Sequence, residues 1–153
     1  NKTKYTNFNR ENFDNQNTPL VLSYDLSIDS YVKTVGDKIY INLDLDRALS
    51  KSKINTDEKK YSKKIDHAYQ KNYETTFIIP DGYKASFIPE TSSFEHPNYG
   101  FTISYTQKDN AIIQNKTIYV NTLSVQKEAF NSWNDFISNI IKAYKKSIII
   151  ERN

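Results

Sequence analysis

The chain has 153 residues, of which 37% are hydrophobic and 25% are charged, and its formal net charge is +3. This length favours a single domain with a sizeable core, and a content of 14% aromatic residues argues against disorder along the whole chain. The chain has no cysteine, which excludes disulfides, thiolate metal ligands and cysteine nucleophiles. No apolar run approaches the roughly 18 residues that a membrane helix needs.

The first segment of the chain is polar. Its large apolar residues, Tyr5, Phe8 and Phe13, recur at no regular period. The sequence therefore predicts a flexible tail or linker over residues 1–17, followed by one domain over residues 18–153.

The middle of the chain carries the alternation that is typical of β-strands. Large apolar residues occupy every second position between Leu20 and Ile28, which places them on one face of a strand. Gly36-Asp37 separates two further strand-like segments, residues 31–35 and 38–45. Four more follow with polar turns between some of them, at residues 73–79, 83–87, 101–105 and 111–120. We therefore expect a mainly β fold, an antiparallel β-sandwich.

The hydrophobic period changes near the C-terminus. Apolar residues then recur every three or four positions, at Phe130, Trp133, Ile137, Ile140, Ile141 and Tyr144. This spacing predicts one C-terminal amphipathic helix, at about residues 125–145, packed on the sandwich and capped by Ser124. Residues 148–150, all isoleucine, predict a short buried strand after it.

Three polar residues form the first candidate site. Asn42, Asp44 and Asp46 alternate with apolar residues, so a strand would place all three on one face, with each about 7 Å from the next. Such a spacing suits paired catalytic carboxylates or cation ligands. A solvated outer sheet face has the same pattern and is the favoured interpretation, and cation binding stays open.

A basic segment is the second candidate. Residues 51–64 contain six lysines, whereas the whole chain has only three arginines to make bidentate contacts with bases. A solvated loop is favoured over nucleic-acid binding, and the question whether the loop has a partner stays open.

The remaining motifs predict no catalytic, cofactor-binding or metal-binding residue. His67 and His96 lie far apart in sequence, without the spacing of zinc ligands. Gly36, Gly82 and Gly100 are too scattered for a phosphate loop or a nucleophile elbow. The twelve tyrosines favour use in the core or at its rim, with a glycan-binding face as the alternative.

One family resemblance rests on the order of motifs in the C-terminal half. A strand ends in Pro80-Asp81-Gly82-Tyr83, Pro89-Glu90 follows, and a hairpin at Asp109-Asn110 precedes the helix and an isoleucine-rich strand. This order resembles the domain of unknown function that lies C-terminal to the transglutaminase-like core of many bacterial envelope proteins.

The resemblance implies a non-catalytic accessory or interaction domain. A transglutaminase-like core works with a cysteine nucleophile, which this chain does not contain. The implied partner is an upstream transglutaminase-like domain of the same polypeptide. The implied location is the periplasm, or outside the cell as a secreted or cell-envelope protein. Two alternatives remain. One is a free-standing module that binds glycans or peptides through exposed tyrosines, and the other is a hydrolase that uses Asp44 and Asp46.

Overall fold

A computed structural model describes residues 2–15, 17–58 and 61–153 of the chain. By their internal contacts the residues fall into two compact units, one that ends at Lys33 and one that runs from Thr34 to Asn153.

The first unit is a two-stranded antiparallel hairpin. Strand β1 (Thr3–Glu11) pairs with strand β2 (Val21–Ile28). The prediction of a tail without regular structure is therefore wrong for the residues of β1. A register shift lies between Thr6 and Asn9, at Asn7, whose φ is 53°. Such a bulge adds one residue to the strand, so Phe8 shares a face with Tyr5 although they are three positions apart. This is why the segment shows no regular period.

The described residues from Lys33 onward form ten strands, a short 3₁₀ helix and one α-helix, and the first of these strands begins at the boundary between the two units. The strands are β3 (Lys33–Val35), β4 (Lys38–Ile41), β5 (Lys63–Lys64), β6 (Tyr69–Ile78), β7 (Tyr83–Phe87), β8 (Ser92–His96), β9 (Tyr99–Lys108), β10 (Ala111–Val120), β11 (Ser124–Val125) and β12 (Ile148–Arg152). They form a four-stranded sheet in the order β6-β10-β9-β8, a second in the order β3-β4-β12-β7, and the small pair β11-β5. The prediction of a mainly antiparallel β fold with one C-terminal helix is confirmed.

The turns follow the predicted sequence signals. Gly36 and Gly82 have φ angles of 63° and 81°, which glycine adopts without steric strain, and they lie in the turns before β4 and β7. Asp109, with a φ of 53°, begins the turn between β9 and β10. Strand β8 was not predicted. Strand β4 ends at Ile41, so the predicted strand over residues 38–45 is too long.

The helix begins later than predicted. A 3₁₀ turn (Lys127–Ala129) leads into helix α1 (Phe130–Ala143), and neither has a side-chain cap. Ser124 is not the N-cap, because it lies in β11 and pairs with Lys64 of β5. The predicted apolar stripe, which includes Trp133, is buried except for Ile141, which is half-buried. Phe136, on the same helix, is also buried. No helix in the described part of the chain is long and apolar enough to cross a membrane.

The core of the second unit consists of two apolar clusters, and strand β10 contributes to both. Ile118 and Val120 pack in the cluster that includes helix α1, whereas Ile112 packs with Ile148 and Ile150 of the other sheet. Gln114 and Lys116 lie between them on the same face of β10, and both are buried. The centre of the buried face of β10 is therefore polar.

Candidate functional site: a buried lysine–aspartate pair

Lys116 of β10 and Asp44, which follows β4, form an ion pair inside the second unit. The ammonium Nζ of Lys116 donates a hydrogen bond to Oδ1 of Asp44 at 3.0 Å. The side chain of Lys116 is 3% exposed and that of Asp44 is fully buried. Charged side chains are rarely buried this completely unless they are paired, because their desolvation is unfavourable.

Other groups surround the ammonium of Lys116. Its Nζ also donates a hydrogen bond to the backbone carbonyl of Asp46 at 2.6 Å. The same atom lies 4.4 Å from the ring centroid of Tyr73 and 5.0 Å from that of Tyr144. Both distances are within the range of cation–π attraction. Two aromatic rings and two oxygen acceptors therefore hold the ammonium in one position.

A glutamine binds the second oxygen of the carboxylate. Gln114, two positions before Lys116 on the same strand face, donates from Nε2 to Oδ2 of Asp44 at 3.3 Å. The same amide nitrogen also donates to the hydroxyl oxygen of Tyr105, at 3.1 Å. Each carboxylate oxygen of Asp44 thus has its own donor. No buried side-chain nitrogen or oxygen among the described residues lacks a hydrogen-bond partner.

The tyrosines of the site are held in their neutral form. Burial raises the pKa of Tyr73, and so does the hydrogen bond of 2.7 Å that its hydroxyl donates to Oδ2 of Asp46. Burial also raises the pKa of Tyr144, with further contributions from the negative charges of Asp44 and Asp46. The hydroxyl of Tyr144 donates to the carbonyl of Ala48 at 3.0 Å. These phenols therefore serve as hydrogen-bond donors and not as bases near neutral pH.

The structure does not place the three polar residues of the first candidate site on one strand face. Asn42, Asp44 and Asp46 lie beyond the end of β4, so they share no strand face. The side-chain amide of Asn42 donates to the carbonyls of Tyr144 and Lys146, both at 2.8 Å. Asp44 is buried and Asp46 is exposed. The favoured interpretation, a solvated outer face, is therefore wrong for Asp44.

The cation beside Asp44 is the ammonium of Lys116. Among the described residues, no group of three or more histidine, cysteine, aspartate or glutamate side chains could hold a metal ion. Sequence reasoning missed Lys116 and Gln114. The signal was present, since Ile112, Gln114, Lys116 and Ile118 alternate on one face of a strand, where two polar residues among isoleucines require partners.

The predicted basic loop is only partly solvated. Lys51 and Lys53 are exposed, but Ile54 between this pair and the later lysines is buried in the core. Lys63 and Lys64 form β5 rather than loop. Lys59 and Lys60 lie outside the described residues. The backbone of Ser52 and Ile54 forms hydrogen bonds with the side chains of Trp133 and Asn134 in helix α1. These contacts explain why the segment is not a freely solvated loop.

The two histidines have separate environments. His96 lies in β8 and stacks on Tyr99, with ring centroids 4.2 Å apart, and its Nδ1 accepts a hydrogen bond from the amide of Asn98. It borders an open cleft of about 430 Å³, which is lined by Phe94, Glu95, His96, Pro97, Phe101, Thr102 and Tyr119. His67 is exposed and lies beside Tyr69.

The tyrosines divide between core and surface. Tyr144 is buried, and Tyr73, Tyr83 and Tyr105 are half-buried, as their strand and helix register predicts. Tyr24 is different, because half of its surface is exposed. Its ring lies 5.3 Å from that of Tyr5 in an edge-to-face arrangement on the hairpin.

Comparison with known protein families finds a match over most of the chain. The family model for a domain of unknown function, DUF3858, matches residues 37–150, which include all the residues of the buried polar site and leave out the hairpin. No curated protein matches the chain, and no solved structure matches it.

Proposed function

Since the chain belongs to the DUF3858 family, we propose that it is a non-catalytic accessory domain that docks onto a transglutaminase-like domain of the same polypeptide. In this proposal the full protein is a bacterial envelope protein. The order of motifs from Pro80 onward supports the association, because it resembles the domain that follows transglutaminase-like cores.

The observation that carries the proposal is the apolar surface of the β1–β2 hairpin. Most of its large apolar side chains are between 43% and 65% exposed, namely Tyr5, Phe8, Phe13, Leu20, Val21, Leu22 and Tyr24, whereas Leu26 and Ile28 are half-buried. A two-stranded hairpin is marginally stable in water unless another element covers an apolar face. Of these, Tyr5, Phe8, Leu22 and Tyr24 share one face of the hairpin. Exposed apolar side chains grouped on one face are typical of an interaction surface.

The contacts of the two aspartates support a non-catalytic role. A general base needs a carboxylate oxygen that can reach a substrate proton. In Asp44 both oxygens already accept hydrogen bonds from buried side chains, and Oδ2 of Asp46 accepts one from Tyr73. The pair that the hydrolase alternative requires is therefore engaged in contacts within the domain.

The docking proposal can be tested by cysteine labelling, because the chain has no cysteine of its own. Leu22→Cys places a thiol on the apolar face of β2, and Ser23→Cys places one on its opposite face as a matched control. Both are labelled with a maleimide in the 153-residue chain and in a longer product that carries the transglutaminase-like domain. Peptide mass spectrometry assigns the label to each position.

We expect Leu22→Cys to be labelled quickly in the 153-residue chain and slowly in the longer product, while Ser23→Cys is labelled at similar rates in both. Equal rates for Leu22→Cys in the two proteins would contradict the proposal. Slow labelling of Leu22→Cys in the 153-residue chain itself would also contradict the proposal, since another part of the same chain would then bury this face.

The absence of catalysis is tested by turnover assays with amide, ester and glycoside substrates. We expect no turnover above that of buffer. The assays are repeated with Asp44→Asn and Asp46→Asn. Activity that disappears in either variant would overturn the accessory-domain proposal and restore the hydrolase alternative.

The exposed pair of Tyr5 and Tyr24 favours a second candidate, a glycan- or peptide-binding module. Exposed aromatic rings can stack on sugar rings or on apolar side chains. A glycan array probed with the chain and with Tyr24→Ala tests this candidate. Tyr61→Ala is the control, because Tyr61 is 82% exposed and lies outside the hairpin. Binding that Tyr24→Ala abolishes and Tyr61→Ala retains would support the second candidate.

A further inference from the structure

The geometry points to a covalent reaction within the buried pair, which forms an amide bond between Nζ of Lys116 and the side-chain carboxyl carbon of Asp44. The amine nitrogen lies 3.0 Å from one carboxyl oxygen. Reacting groups held near van der Waals contact in a fixed orientation react far faster than the same groups free in solution. Both side chains are almost completely buried, so water is excluded from the place where the bond would form.

The neighbouring groups suit the individual steps of this condensation. A proton passes from the ammonium of Lys116 to Oδ1 of Asp44, which yields a neutral amine and a neutral carboxylic acid. The amine lone pair then attacks the carboxyl carbon, and negative charge develops on Oδ2. Gln114 already donates a hydrogen bond to Oδ2 and would stabilise this charge.

The reaction needs no other reactant. The nitrogen transfers a second proton to Oδ1, the bond between the carboxyl carbon and Oδ1 breaks, and one water molecule leaves. The product is a secondary amide whose remaining N–H can donate to the carbonyl of Asp46, which already accepts a hydrogen bond from Nζ at 2.6 Å. No atom changes its oxidation state. The ion pair is thus the precursor, and the amide and water are the products.

Such a bond would act as a cross-link in a chain without cysteine. Asp44 and Lys116 lie 72 positions apart, and they join the segment after β4 to the central strand β10. A cross-link that closes a long loop restricts the unfolded chain and so stabilises the folded state. Unlike a disulfide, an amide is not cleaved by thiol reductants.

Mass spectrometry of the denatured wild-type chain tests the inference directly. We expect an intact mass lower than the sequence mass by one water molecule, in a fraction of molecules that grows during storage at neutral pH. Trypsin should then release residues 39–47 joined to residues 109–127, with no cleavage after Lys116. The full sequence mass after prolonged storage would overturn the inference. Loss of water at any other position, such as a succinimide at Asp81-Gly82, would also count against it.

Two substitutions of lysine by arginine provide matched controls. Lys116→Arg keeps a cation but should remove the mass deficit. Lys84→Arg should retain the mass deficit, because Lys84 is not expected to form an amide. It lies 3.7 Å from Glu151, and the two side chains are 57% and 26% exposed, so water reaches this pair. Gln114→Leu should slow the loss of water by roughly 100-fold, the effect of removing one oxyanion donor. A deficit that persists in Lys116→Arg would overturn the inference, and an unchanged rate in Gln114→Leu would overturn the role assigned to Gln114.

Discussion

Lys116 is the one buried lysine among those that the structure describes, so its charge has the largest desolvation penalty. Its charge is compensated by Asp44, by the carbonyl of Asp46 and by two tyrosine rings. Desolvation offsets much of the attraction between two buried charges. The pair therefore matters less for its net energy than for the penalty that follows when one partner is lost.

A double-variant cycle tests this balance. We expect Asp44→Ala to lower the free energy of unfolding by about 3–5 kcal/mol, because the ammonium of Lys116 stays buried without its carboxylate. Combining Lys116→Met with Asp44→Leu should recover most of that loss, measured against wild-type chains that carry the ion pair and not the amide, since no buried charge remains. Urea denaturation measures both values. Glu151→Ala removes an exposed ion pair and should change the free energy of unfolding by less than ~1 kcal/mol. A double variant as unstable as Asp44→Ala would contradict the argument.

The buried tyrosines predict a loss of stability at alkaline pH. Burial raises the pKa of Tyr144 in the folded state above its ordinary value of 10.0. At high pH the unfolded chain therefore loses this proton before the folded chain does. The contribution of Tyr144 to stability is complete below about pH 10 and falls as the pH rises above it.

Urea denaturation at a series of pH values tests this dependence. Tyr144→Phe cannot ionise, so its free energy of unfolding should fall less steeply above pH 10 than that of the wild type. It also loses the hydrogen bond to Ala48 and should be less stable at neutral pH. Tyr61→Phe, at an exposed position, is the control and should follow the wild type. Identical alkaline slopes for Tyr144→Phe and the wild type would show that other groups cause the decline.

At the scale of elements, helix α1 organises the segment that precedes β5. The side chain of Asn134 accepts a hydrogen bond from the amide of Ile54 and donates one to its carbonyl, both at 2.8 Å. The indole nitrogen of Trp133 donates to the carbonyl of Ser52 at 2.8 Å. A segment without regular structure thus acquires partners for its backbone groups from two adjacent helical side chains.

Asn134→Ala tests this anchoring. We expect it to reduce the free energy of unfolding by about 1–3 kcal/mol, because the backbone groups of Ile54 lose their partners. Amide hydrogen exchange at Ile54 should become faster, which ties the effect to this contact. Asn131→Ala is a matched control, since Asn131 lies exposed on the same helix. Equal destabilisation by the two substitutions would show that a general effect on the helix is responsible.

At the scale of the whole molecule, the two units differ in how much they can bury. The unit from Thr34 to Asn153 contains both apolar clusters, including Trp133. The hairpin leaves most of its large apolar side chains exposed. Its folding energy is therefore small by itself, which is consistent with a role as a docking element.

Deletion of residues 1–17 tests the independence of the larger unit. We expect the thermal midpoint followed by tryptophan fluorescence to shift by less than about 4 °C, the effect of roughly 1 kcal/mol at most. Trp133 is the only tryptophan, so its emission reports the larger unit alone. Deletion of residues 148–153, which removes the central strand β12, is the contrasting variant and should abolish cooperative unfolding. Loss of cooperativity on removing residues 1–17 would show that β1 contributes to the main core.

Local patterns in the sequence determined the fold class, most of the strands, the helix and the position of Trp133. Alternation of apolar residues and a period of three to four residues are properties of neighbouring positions, so they can be read without knowledge of long-range contacts. Gly36 and Gly82 likewise meet a local requirement, since the backbone has a positive φ angle at both positions. Strand β1 was missed because its bulge breaks the alternation between Tyr5 and Phe8.

Only the tertiary structure decided which polar residues meet. Asp44 was visible as a candidate, but its partner Lys116 lies 72 positions away, and no spacing rule connects the two. Their meeting depends on how the segment after β4 lies against the buried face of β10, where Gln114 and Lys116 separate two apolar clusters. A buried charge selects its partner through desolvation and geometry, which depend on the packing of distant elements rather than on neighbouring residues.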